Sequence, residues 1–138
     1  MIAEFVIHAA PTGKARPRVT SHGAYTPKKT KDYERFVAKE YLVQCAGSYF
    51  GYLPVSVTIT AYYPIPKSTN KAKRQKMIDG TVRPTVKPDF DNVCKAVCDA
   101  LNGIAYYDDS QIVKAEFRKY YGVEPFVKVK IVSMESDV

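Results

Sequence analysis

The segment from Val93 to Leu101 constrains this chain more than any other stretch. Val93, Ala96, Val97, Ala100 and Leu101 recur at i, i+3, i+4, i+7 and i+8 without a miss, and Gly103 stands where a left-handed residue closes a helix. A helix with one unbroken apolar face must lay that face on another apolar surface, and the rest of the chain supplies strands. Val55, Val57, Ile59 and Ala61 alternate with Ser56, Thr58, Thr60 and Tyr62 between Pro54 and Pro64, the period of a strand with one buried side. Ile2–Ile7, Ile112–Tyr121 and Phe126–Val132 show similar patterns, giving four main strands. Two more helices are expected. One is Thr30–Ala46, with Thr30 as N-cap, Tyr33, Phe36 and Val37 on one side and Gly47 as its stop. The other is Ser68–Asp79, capped by Ser68, Thr69 or Asn70 and ended by Gly80. Four of its residues are Lys71, Lys73, Arg74 and Lys76, so it has little to bury and should face solvent. The 138 residues therefore describe a single small α+β domain, a two-layer arrangement of a mixed β-sheet packed by helices.

Charge is placed unevenly. Lys and Arg number 21 against 14 Asp and Glu, a formal +7. Residues 1–80 hold thirteen of the bases and five of the acids, whereas residues 81–138 hold eight and nine. The first half thus offers a basic surface to an acidic partner and the second half carries the carboxylates. Lys14, Arg16 and Arg18 lie in a Pro/Gly-rich loop that Pro11 and Pro17 keep extended, a form suited to a phosphate track. Lys28, Lys29 and Lys31 lead into the first helix, and Lys67, Lys71, Lys73, Arg74 and Lys76 form a second cluster.

Three cysteines and two histidines argue against a disulfide framework and against a zinc site; Cys94 and Cys98, one helical turn apart, read as buried or half-buried thiols. A reducing cytoplasm fits this usage. The amino terminus has an acid at Glu4 and an apolar run too short for a signal peptide, and nothing later approaches a membrane span, so a soluble protein with no membrane partner is expected.

Around the third helix the polar residues are arranged in a way that packing does not require. At 100° per residue, Asp91, Lys95 and Asp99 share one stripe opposite the apolar face. Asp89 stands at the helix start, and Asp108-Asp109 stand at the mouth of the next strand. Each has a structural explanation: Asp89 as an N-cap, Asp91 as a helix-dipole partner paired with Lys95, Asp108-Asp109 as a turn. Together they gather in a way these explanations cover less well, because like charges brought close repel unless a divalent cation holds them. Magnesium suits a carboxylate donor set.

Lys87-Pro88-Asp89-Phe90-Asp91-Asn92-Val93-Cys94-Lys95, then Asp99-Ala100-Leu101-Asn102-Gly103 and Asp108-Asp109-Ser110-Gln111-Ile112, resembles the signature of the RusA family of Holliday junction resolvases. The likeness extends to Pro11–Arg18 and to Pro64–Ser68. It implies a small homodimeric, magnesium-dependent endonuclease of bacteria and their phages that nicks four-way DNA junctions symmetrically. The family's essential acids fall on Asp89, Asp91 and the second of the acidic pair, Asp109, with Asp108 as the alternative; its essential lysine falls on Lys95. On that reading the three acids hold one or two magnesium ions and Lys95 touches a phosphate oxygen or orients the water. A dimer surface is sought on an apolar-rich edge strand such as Phe126–Val132. The rival readings are a branched-DNA-binding protein without nuclease activity and a magnesium phosphohydrolase acting on nucleotides.

Overall fold

Alternation along Val55–Pro64 (β4) buries Val55, Val57, Ile59, Ala61 and Tyr63 and leaves Ser56, Thr58, Thr60 and Tyr62 half-buried on the opposite side. The computed structural model describes residues 1–15, 18–25 and 27–134, the side chains of Arg18 and Tyr25 excepted. It contains β4 in a four-stranded sheet with Ile2–Ile7 (β1), Ile112–Gly122 (β5) and Phe126–Ser133 (β6), in the order β1-β6-β4-β5. β6 runs antiparallel to both β1 and β4, while β4 and β5 are parallel, so the sheet is mixed. A parallel pair needs a crossover. Here it carries two helices, Lys71–Ile78 (α2) and Phe90–Ala100 (α3). The expectation that β6 forms an edge is overturned: it pairs on both sides, and the edges are β1 and β5. Strand order cannot be taken from apolar content, and β6 is apolar because its inward residues Val127, Val129 and Ile131 are central to the core.

One face of the sheet is covered by Lys28–Gln44 (α1) and by α3, which pack on each other. α3 buries Val93, Ala96, Val97 and Ala100, with Leu101 at its C-cap, as the periodicity requires. α1 begins two residues before the expected start, because Pro27, with φ −54° and ψ 145°, occupies the N-cap position. Thr30 is consequently inside the helix and buried, where its Oγ1 accepts the Ala15 N–H at 3.3 Å instead of capping. Phe36 is 37% exposed, and Tyr41 takes the inward place expected of it, packed edge-on against Phe5 with centroids 5.3 Å apart. α2 is helical over 71–78, with Asn70 accepting the Lys73 N–H at 2.9 Å and Met77 as its one buried residue. No helix among the described residues is long and apolar enough to cross a membrane. A short hairpin not anticipated from the sequence, Arg18–Thr20 (β2) with Gly23–Tyr25 (β3), follows the expected loop; Gly23, at φ 112°, starts β3 directly after the two-residue turn.

Truncating Leu101 to Ala should cost about 2–5 kcal/mol, because the side chain is fully enclosed, whereas Phe36→Ala should cost under about 1 kcal/mol. Urea unfolding followed by circular dichroism measures both. Equal costs would contradict the phase assigned to α1.

Candidate active site at the start of α3

The apolar face of α3 decides where its polar residues point. With Val93, Ala96 and Val97 against the sheet, Asp91 and Lys95 are exposed and Asp99 is half-buried, all on the outward stripe. Asp89 occupies the N-cap position in extended conformation, yet its side chain makes no capping hydrogen bond. Among the described residues neither Asp89 nor Asp91 enters an ion pair. The segment before them is held from β4, where the Tyr63 hydroxyl donates to the Pro88 carbonyl at 2.6 Å. Burial, with the Asp89 charge nearby, pushes the Tyr63 hydroxyl up to about 12, so it remains a donor.

Lys95 does not pair with Asp91. Its ammonium lies 3.5 Å from Asp99 Oδ2, one turn further on, and remains 61% exposed. Asp99 also receives Lys14, at 3.3 Å, and the same lysine binds Glu34 of α1. Lys14 is only 16% exposed. Burial alone would lower its pKa, but the hydrogen bonds and charges of Glu34 and Asp99 outweigh it and hold the ammonium above its ordinary value. The structure thus turns Lys14 inward, between α1 and α3.

At the mouth of β5 the two acids separate. Asp108 caps the 3₁₀ turn Asp109–Gln111: its carboxylate accepts the Ser110 N–H at 3.0 Å, and Gln111 Oε1 accepts the Asp108 N–H at 2.8 Å. That bond holds its carboxyl below the usual range. Asp109 is outside this cap. Burial, then the charges of Asp108 and Asp99, raise its carboxyl above the ordinary value, with Lys95 acting in the opposite direction. Lys95 and Asp99, one turn apart on α3, therefore share their surroundings with Asp109, ten positions beyond Asp99, with Asp91 one turn before Lys95.

Two surface grooves meet at Asp89. One, of about 600 Å³, runs past Gly13, Lys14, Lys29, Lys87 and Asn92. The other, of about 510 Å³, includes Asp91 with Arg83, Arg118 and Lys119. The sequence reading did not single out Arg83, Arg118, Lys119 or Lys87, because they belong to the half of the chain whose charges nearly cancel. Glu34 was missed too, since only the folding of α1 against α3 brings it to Lys14. Of the expected DNA contacts, Lys67, Lys71, Lys73 and Lys76 are exposed and Arg74 is half-buried on and before α2. Arg16 lies outside the described residues, and Arg18 is placed by its backbone in β2.

No group of three Asp, Glu, His or Cys side chains among the described residues stands close enough together to enclose a metal ion. The donor chemistry nonetheless fits a hard cation. Beside Asp89, Asp91 and Asp109 the nearest sulfurs are Cys94 and Cys98, whose thiols burial pushes up to about 11 and about 12. Protonated thiols leave oxygen as the donor.

Fold and site define a small α+β protein with exposed carboxylates set beside basic grooves. Residues 8–132 match the family model described as Endodeoxyribonuclease RusA, and the chain belongs to that family. It is also 37% identical over 134 residues, 93% of this chain and 94% of the other, to a Bacillus subtilis (strain 168) protein named Uncharacterized protein YqaN.

Asp109→Asn should raise the melting temperature in metal-free buffer at neutral pH. The folded carboxyl titrates above its ordinary 3.8, so ionisation opposes folding above that pH and the gain from Asn should vanish below it. Thermal melts at several pH values check this; a variant that melts lower at neutral pH would contradict the surroundings assigned to Asp109.

Proposed function

We propose that this protein is a magnesium-dependent endodeoxyribonuclease that resolves four-way DNA junctions by paired symmetric nicks, acting as a homodimer. The observation that carries the reading is the position of Asp89 and Asp91, in no ion pair among the described residues, at the start of α3 where two grooves with basic linings meet, in a chain of an endodeoxyribonuclease family. Carboxylates on a phosphate path repel DNA unless a cation neutralises them. Asp89, Asp91 and Asp109 would hold that ion. The cap formed by Asp108 supports Asp109 as the third ligand, because Asp108 is committed to the Ser110 N–H. When bound, magnesium supplies charge stabilisation at the phosphoryl group and an activated water.

The chain's own groups supply the rest. Lys95 has three N–H donors and spends one direction on Asp99, which leaves its exposed ammonium able to bond a phosphate oxygen. Lys29 and Lys87 flank the acids on one side, and Arg16, Arg18, Lys67, Lys71, Lys73, Arg74 and Lys76 extend the basic surface for the duplex arms. Lys14, expected at DNA from its sequence, is proposed instead to tie the amino-terminal loop to α1 and α3 through Glu34 and Asp99. A four-way junction presents equivalent strands about a two-fold axis, so a two-fold dimer places one site on each of two symmetric phosphates.

Asp91→Asn should still shift a junction in a gel and nick it at least about a hundredfold more slowly, because affinity comes from the bases and turnover from the acids. Lys95→Met keeps the helix and should likewise lose orders of magnitude in nicking alone. Parallel loss of binding and cleavage in both variants would overturn the assignment. With calcium in place of magnesium, the log–log dependence of junction affinity on salt should have a slope near about −5 if roughly six phosphates are engaged per dimer. A slope near zero would remove the basic surface from the account.

A further inference from the structure

Resting on the role proposed for Lys95, we infer that Asp99 is the positioning residue of this site: it holds the Lys95 ammonium in place, with Lys14 as its brace. Asp99 lies two turns after Asp91 on α3 and is 17% exposed. A single oxygen, Oδ2, faces the Lys95 ammonium at 3.5 Å and the Lys14 ammonium at 3.3 Å. An exposed lysine paired to a mobile acid gains little order. Here the acid is fixed, because Lys14 is itself enclosed and bound on its far side by Glu34. The loop carrying Lys14 is fixed in turn: the Lys14 N–H donates to the Asn92 carbonyl at 2.9 Å, and a Cβ on Gly13 would stand 3.1 Å from Pro88 and 3.2 Å from Asn92. Asp99 therefore links Lys95 to a braced part of the scaffold and acts through that lysine.

The consequence is non-additivity. If Asp99 acts through Lys95, removing it from a protein already lacking that ammonium changes little, whereas a merely structural acid imposes its loss in every background. The experiment uses the full chain with Asp99→Asn, Lys95→Met, their combination and Lys14→Met. It measures single-turnover nicking of a four-way junction in magnesium, junction affinity in calcium, and manganese affinity by calorimetry. Asp99→Asn should nick about tenfold or more slowly with junction affinity within about twofold of the parent, and the double variant should match Lys95→Met within about twofold. Manganese should bind Asp99→Asn within about twofold of the parent, because the effect runs through Lys95 and not through the metal-holding acids. Lys14→Met, which leaves the carboxyl but removes its brace, should slow nicking by less, and it carries the test if Asp99→Asn does not fold. Losses that multiply in the double variant, or Asp99→Asn or Lys14→Met proteins that nick like the parent, overturn the inference. A parent that neither nicks the junction nor binds manganese overturns the functional reading instead.

Discussion

The seat of α3 on the sheet is the contact on which the site depends. Val93, Ala96, Val97 and Leu101 are completely enclosed, each contributing roughly 1.5–3 kcal/mol for a larger aliphatic side chain and less for alanine. That burial fixes the rotation of the helix about its axis, and with it the outward direction of Asp91, Lys95 and Asp99. A slip of one residue would turn this stripe by about 100° and bury a charge. The parallel pairing of β4 and β5 adds a second constraint, since the crossover that joins them brings the 3₁₀ turn with Asp109 back beside the helix. Charged groups with opposed requirements are thus held by a rigid element rather than by loops.

Electrostatics divides the molecule into layers of different purpose. Among the described residues of this strongly basic protein Asp89 and Asp91 enter no ion pair, while Lys14 of the amino-terminal loop is withdrawn between α1 and α3. The thiols beneath α3 stay protonated because burial disfavours their charge, so they behave as small apolar side chains. The acids that remain differ by environment: Asp108 is stabilised as an anion by a backbone N–H, and Asp109 is raised by burial and its neighbours. Adjacent residues of identical chemistry therefore sit in opposite electrostatic surroundings.

Much of this was legible in the sequence where a local period decided the outcome. α3, its stop at Gly103, the four main strands and the outward stripe follow from spacing alone, and the motif from Lys87 to Ile112 carried the family. What escaped depends on contacts between distant segments. Thr30 is a good cap by type, yet Pro27 sets the helix start and frees the hydroxyl for Ala15. Phe36 is as apolar as Tyr41, but only the packing of α1 on β1 shows which of them faces Phe5. Strand order is equally invisible to periodicity, which is why β6 was mistaken for an edge. Lys14 reads as a surface base until Glu34 and Asp99 are folded around it.

The central claim, that the carboxylates of α3 and the β5 mouth make this basic protein a cation-dependent cutter of branched DNA, is tested most directly by one comparison of substrates. The protein is incubated with a labelled four-way junction, a linear duplex of the same sequence and a nucleoside triphosphate, each with magnesium and with chelator. Paired symmetric nicks in the junction alone, abolished by chelator while junction binding survives, are the predicted result. Binding without nicks, equal cutting of duplex and junction, or hydrolysis of the triphosphate alone would contradict it.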